Sequence, residues 1–196
     1  PDGGAKADPL CGEEENQKKE TGEIMKKAGI AYFTEQGGRL AHRIADGLAP
    51  EYEILLYEKG LKDWCAACFA KAELIIFIGA CGIAVRMIAP FVSDKLSDSP
   101  VVVADEAGTF VIPLLSGHMG GANELAEQIA GQIGGIPVIT TATDVNHTFS
   151  VDLFAKKCGL SIYNREGIAK VSAKILDGKT PDIVISSEKT DLEQGV

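Results

Sequence analysis

Positive charge is scarce in this chain. Its 19 Lys and Arg face 28 Asp and Glu, leaving a net charge of −9 at neutral pH. That balance argues against a nucleic-acid surface, which needs a basic patch. Long apolar runs are also missing, and no stretch is long enough to span a membrane. The N-terminal stretch lacks the charged, apolar and small-residue order of a signal peptide. Neither a Gly-x-Gly-x-x-Gly fingerprint nor a Walker lysine is present, which leaves little support for a nucleotide site. Cysteine is sparse and odd in number: Cys11, Cys65, Cys68, Cys81 and Cys158. Reduced thiols in a cytoplasmic chain fit this better than a disulfide framework. Cys65-Ala66-Ala67-Cys68 has no second pair and no nearby His to complete a tetrahedral metal site. It lies in a predicted helix, Gly60–Ala72, with Leu61, Trp64 and Phe69 on the same face. Both thiols are therefore expected to point into the core.

What is present is an apolar fraction of 45% in 196 residues, enough for a proper core. Residues 1–27 are rich in Glu, Lys and Gly and read as a flexible tail. An N-terminal α/β domain is expected over 28–146 and a smaller second α/β segment over 147–196. Ile30–Phe33 reads as the first strand, followed by a helix opened by Gly37-Gly38 and ending near Leu48. Tyr52–Tyr57 is the second strand. Leu74–Ile78 is wholly apolar and suits the middle of a parallel sheet. It runs into Gly79 and a helix carrying Arg86. Val101–Ala104 and Thr109–Ile112 read as a hairpin across Asp105–Gly108. A helix from Ser116 then leads to a strand at Pro137–Thr140. Beyond it follow a helix at Ser150–Cys158, a strand at Leu160–Tyr163, a helix at Gly167–Leu176 and a strand at Asp182–Ser186. The alternation implies an open, mostly parallel α/β sheet flanked by helices.

The densest signal is Leu114-Leu115-Ser116-Gly117-His118-Met119-Gly120-Gly121-Ala122-Asn123-Glu124-Leu125-Ala126. Ser116 suits a helix N-cap, with Met119, Ala122, Ala126, Ile129 and Ile133 at helical spacing. Gly117, Gly120 and Gly121 would then fall in the first turn, where glycine costs stability. Either glycine merely permits close packing there, or it lets an anion reach the free N–H groups at the positive end of the helix. His118 and Asn123 stand beside that cradle. Gly79–Gly82 and Thr140–Asp144 each follow a strand, and ligands of open α/β sheets bind at the carboxyl edge. The three blocks are expected to converge in one cleft.

Four ordered blocks carry a resemblance. Ser116–Ala126 resembles the Ser-Gly-His-x-Gly-Gly-Ala-Asn-Glu-Leu-Ala block of the CbiG family, the cobalt-precorrin-5A hydrolases of anaerobic cobalamin biosynthesis. Gly79–Pro90 is similar to its Gly-x-x-Gly-Ile-x-x-Arg-x-Ile-Ala-Pro. Val101–Gly108 resembles its Val-rich strand and Asp-Glu-x-Gly turn, and Pro137–Asp144 its Pro-Val-Ile-Thr-Thr-Ala-Thr-Asp. Two departures are Asp98-Ser99-Pro100, where the family has Asp-Pro, and Pro113, where Ser is usual. Family members carry a further C-terminal domain, so a fragment or half of a split system is expected.

The resemblance implies a cobalt-bearing macrocycle with carboxylate arms and a ring A δ-lactone. Water opens the lactone and the two-carbon fragment leaves as acetaldehyde. Cobalt comes with the substrate, so no cofactor and no protein metal site are expected. His118 is the first candidate for general base, since imidazole titrates near neutrality. Asp144 would orient His118, act as base itself, or cap the following helix. Gly117, Gly120 and Gly121 N–H groups would bind an oxyanion or a propionate, with Ser116 and Asn123 beside them. Arg86, following Gly79 and Gly82, would clamp a carboxylate or form a surface salt bridge. Thr140, Thr141 and Thr143 would donate hydrogen bonds or cap a strand end. Asp105 and Glu106 fit a solvated turn, and His42 and His147 take no role. A homodimer or a contact with the C-terminal domain is the further expected partner. Two other readings stand beside hydrolysis: a non-catalytic tetrapyrrole-binding fragment and a generic α/β anion-binding module.

Overall fold

A computed structural model describes residues 25–94, 97–146 and 148–180. Most of the expected tail, the expected strand Asp182–Ser186 and His147 lie outside the described residues.

Six strands form one sheet: β1 Lys26–Tyr32, β2 Tyr52–Leu56, β3 Leu74–Ile78, β4 Val101–Ala104, β5 Phe110–Leu115 and β6 Ile136–Pro137. Their spatial order is β2-β1-β3-β4-β5-β6. Every neighbouring pair is parallel except β4 and β5. Helices α1 (Glu35–Leu48) and α4 (Ala122–Ile133) cover one face, packing Leu40, Ile44 and Ile129 on Ile30, Ile76 and Val102. Helices α2 (Leu61–Lys71) and α3 (Cys81–Ile88) cover the other, packing Cys65, Cys68 and Ile88 on Ile75, Phe77 and Val103. This is the expected open α/β sheet.

β3 shows why the sheet forms here. Successive side chains of a strand point to opposite faces. Leu74, Ile76 and Ile78 enter one core and Ile75 and Phe77 the other, none more than 2% exposed. A strand covered on both faces needs an unbroken apolar run, and this one has it. The thiols of Cys65 and Cys68 are free and buried, as expected. Burial pushes them up to about 11 and about 12 respectively, so neither is a ready nucleophile.

Several elements differ from the sequence reading. β1 begins at Lys26, ahead of Ala28, because Lys26 and Lys27 pair with Tyr52 and Glu53 of β2. Lys27 Nζ lies 3.2 Å from Glu53, and its N–H donates to Glu73. β6 is shorter than Pro137–Thr140. Only Val138 adds a further bond, its N–H donating to Val111 O at 2.8 Å. Pro137 here and Pro113 in β5 have no N–H to offer a ladder. Leu160–Tyr163 forms no strand. Tyr163 stands 92% exposed, with no neighbouring strand among the described residues to pair with it. Gly159, at φ 64, instead turns the chain out of α6 (Val151–Lys157) toward α7 (Arg165–Leu176). A four-residue helix, α5 (Ala142–Val145), precedes them.

Candidate active site

Strand direction decides which blocks meet. β5 runs against β4, with Leu115 opposite Val101 and Val111 opposite Ala104. The chain therefore leaves β5 beside the start of β4. Gly79 leaves β3 beside the end of β4, where its N–H donates to Ala104 O at 2.9 Å. β6 runs parallel to β5 and exits on the Leu115 side. The expectation of one cleft is thus corrected. Ser116–Gly121 and Thr140–Asp144 share one sheet edge, and Gly79, Gly82 and Arg86 occupy the opposite one.

The helix start also moves. Residues 117–121 are a loop, and α4 begins at Ala122 with Gly121 as its cap, in the left-handed region at φ 86. Ser116 is not an N-cap. It sits at φ 54, uncommon for a residue with a side chain, and its Oγ donates to Asp98 O at 2.9 Å. The first N–H groups of α4 are not free. Ala122 N–H donates to Ser116 O and Asn123 N–H to Gly117 O. Glycine is required in this loop by close approach. A Cβ on Gly117 would lie 2.5 Å from Asn123 Oδ1, and one on Gly120 2.6 Å from Ser116 O.

The loop presents His118 to two carboxylates. Nδ1 lies 3.5 Å from Asp144 Oδ1, and Nε2 lies 3.2 Å from Asp152 Oδ1. Nε2 also contacts Ser150 Oγ, whose hydroxyl donates to Asp152 Oδ1. The side chains of His118, Asp144 and Asp152 are 15%, 32% and 11% exposed, so the site opens on the Asp144 side. Asn123, buried on α4, donates through Nδ2 to both Thr141 Oγ1 and Asp144 Oδ2. Its own Oδ1 is buried without a hydrogen-bond partner among the described residues. Thr143 is buried and Thr140 exposed. Asp144 lies inside α5 and is not the cap of the next helix.

Burial alone would raise the Asp152 carboxyl. The Ser150 hydroxyl, the His118 charge and the N–H of Leu153 outweigh it and hold the group below the usual carboxylate range. Asp152 and Asp144 approach different ring nitrogens, so the three groups diverge around the imidazole. Among the described residues no cluster of three or more His, Cys, Asp or Glu is placed to hold a metal.

Ser150 and Asp152 were not singled out from the sequence. Ser150-Val151-Asp152 reads as a helix start, and Ser150 does act that way, accepting from Leu153 N–H at 3.4 Å. Only the fold shows that His118 comes to the same hydroxyl.

The opposite edge is different in kind. Arg86 is exposed, and its guanidinium donates to Gly82 O of its own helix at 3.1 Å. Thr34 caps α1 and donates to Glu106 at 2.7 Å. An open cavity of about 520 Å³ lies there, lined by Phe33, Thr34 and Tyr57 among others, and His118 is not part of it. Asp105 accepts from Ala107 N–H within its turn.

Residues 63–144 match the family described as cobalamin synthesis G N-terminal. A cobalt-precorrin-5A hydrolase of Salmonella typhimurium is 45% identical over 142 residues, covering 67% of this chain and 40% of the relative. One from Priestia megaterium is 35% identical over 166 residues, covering 85% of this chain and 42% of the relative. The chain therefore spans less than half the length of these curated relatives. A solved cobalamin biosynthesis protein G homolog from Sulfolobus solfataricus shares the fold, with TM-score 0.52 at 23% identity, over 83% of this chain and 51% of that one. No described helix is long and apolar enough to cross a membrane. His118, Asn123, Thr141 and Asp144 all fall in the family's matched region, and by that match and by its relatives the chain belongs to the CbiG family.

Proposed function

We propose that the chain serves cobalamin biosynthesis in the cytoplasm by hydrolysing the ring A δ-lactone of cobalt-precorrin-5A, releasing acetaldehyde and leaving cobalt-precorrin-5B. The observation that carries this reading is His118 held between Asp144 and Asp152 on the open side of a loop that needs glycine. The names of the two curated relatives supply the substrate. Cobalt belongs to that substrate.

His118 is the general base, taking a proton as water adds to the lactone carbonyl. The bond from the acyl carbon to the ring oxygen then breaks. The hydroxyl so formed on the two-carbon unit becomes the aldehyde carbonyl as it loses its proton and its bond to the macrocycle breaks. The electron pair of that bond stays on the macrocycle, which takes up the proton. Asn123 and Thr141 hold Asp144 in place beside His118. The N–H groups of Gly117, Gly120 and Gly121 are the proposed stabilisers of the oxyanion or of a propionate arm, with Ser116 setting the loop. Thr140 is free to donate to the substrate, and Thr143 is framework. Gly79, Gly82 and Arg86 stand outside this step.

The alternative is tetrapyrrole binding without turnover, with His118 a contact to the ligand and not a base. An acetaldehyde assay with cobalt-precorrin-5A, run on this chain and on a version extended to the relatives' full length, tests both. Acetaldehyde from either supports hydrolysis. Spectral binding with no acetaldehyde from either leaves binding alone.

A further inference from the structure

A histidine can take a proton from water only at a ring nitrogen that carries none. Both nitrogens of His118 face carboxylates, so the site must decide which one is free. The contacts are unequal. Nε2 has Asp152 Oδ1 at 3.2 Å and Ser150 Oγ in contact, whereas among the described residues Nδ1 has only Asp144 at 3.5 Å, beyond ordinary N–H···O range.

Ser150 settles the direction of the bond. It has one hydrogen, and that hydrogen goes to Asp152. Toward Nε2 it can only accept, so Nε2 must carry a proton. Asp144 shows the complementary arrangement. Asn123 occupies Oδ2, and Oδ1 faces Nδ1 across the gap. Two acceptors 3.5 Å apart, on the more exposed side, suit one water that donates a hydrogen to each.

We propose that Asp152, acting with Ser150, is the positioning residue that fixes His118 as its Nε2–H tautomer and leaves Nδ1, beside Asp144, as the nitrogen that accepts the proton from water. The catalytic role rests on the hydrolase reading above; the tautomer does not. In the step, a water O–H breaks, its proton goes to Nδ1 and its oxygen bonds to the acyl carbon. The imidazolium so formed lies between Asp144 of α5 and Asp152 of α6. No described lysine or arginine forms an ion pair with either carboxylate. The proton then passes to the departing ring oxygen as its bond to the acyl carbon breaks. Ser150 is not the nucleophile here, since it is buried and its hydrogen is committed to Asp152.

The test begins with nitrogen NMR of the chain labelled with ¹⁵N-histidine, at mildly alkaline pH. His118 signals are identified by their loss in His118→Gln. The expected pattern is an unprotonated Nδ1 and a protonated Nε2. Asp152→Asn should equalise or reverse it, Asp152→Glu should restore it, and Ser150→Ala should weaken it in part. A proton on Nδ1 in the wild type overturns the proposal and transfers the positioning role to Asp144. In whichever form of the chain releases acetaldehyde, as given or extended to the relatives' length, Asp152→Asn should lower kcat by about 10²–10⁴-fold with KM little changed, because the wrong nitrogen then faces water. An unchanged kcat overturns the proposal, as does an acyl adduct on Ser150 trapped by mass spectrometry. If the wild type makes no acetaldehyde while the tautomer is as expected, the hydrolase reading alone falls.

Discussion

The two edges of the sheet carry similar residue types and use them differently. At the carboxyl edge of β1–β4, Arg86 bonds to the backbone of its own helix and Thr34 meets Glu106 in solvent. At the other edge, groups from α4, α5, the start of α6 and the loop after β5 converge in a half-buried cluster around His118. Exposed, locally paired charges are worth little and exert little control over geometry. Burial strengthens interactions and makes each unsatisfied group costly, so a cluster drawn from distant positions is held in one arrangement. The chemistry is therefore expected to depend on one edge only.

The largest effect should break or establish that asymmetry. If the proposed hydrolysis holds, His118→Gln, in the chain extended to the relatives' length, is expected to slow acetaldehyde release by ~10²–10⁴-fold with substrate still bound. Arg86→Gln at the opposite edge should leave turnover near wild type. Comparable losses in both would place substrate across both edges and undo the comparison.

Glycines sharpen it at a smaller scale. Gly117→Ala and Gly120→Ala would force a Cβ to 2.5 Å from Asn123 Oδ1 and 2.6 Å from Ser116 O. Each should cost about 1–3 kcal/mol by overpacking, read as a lower urea midpoint. Gly82 would meet only the mobile end of Arg86, at 3.4 Å. Gly82→Ala, within α3, should be neutral or stabilising by up to about 1 kcal/mol. Destabilisation there would mean the carboxyl edge is as tightly built as the other.

The least pronounced test is acid. Asp152 has its carboxyl held low in the folded chain. Its contribution is present above the unfolded-state value of about 3.9 and is lost as pH falls through the lower folded value. Asp152→Asn should therefore flatten the acid loss of stability in urea titrations. An unchanged slope would show that the His118 cluster contributes nothing to acid sensitivity.

The scaffold was legible in the sequence where a single physical demand acted. Burial on both faces wrote Leu74–Ile78 as an unbroken apolar strand, and the same demand placed Cys65 and Cys68 in the core. The predicted hairpin of β4 and β5 was also right, and it carried a consequence that the one-cleft expectation contradicted. A hairpin reverses the chain, so whatever follows β5 must leave from the opposite edge. Ser116 misled because a serine before glycines looks like a cap, whereas its backbone is left-handed and its hydroxyl is turned to Asp98. Ser150 and Asp152 lay hidden because their local pattern satisfies an ordinary helix start. Their partner is 32 positions away for Ser150, a separation that no local spacing records.

β6 pairs over two residues, and one further bond from Val138 completes its hold on the sheet. Half of the His118 cluster hangs beyond that attachment, on α5 and at the start of α6. In hydrogen-exchange terms, these amides are expected to open at a lower free energy than that needed to expose β3. A ligand bound between His118 and Asp144 would favour the closed form of that region by mass action. Protection should then rise first in α5 and α6 and leave β3 unchanged, so substrate capture would be read as local refolding of the sheet's weakest margin.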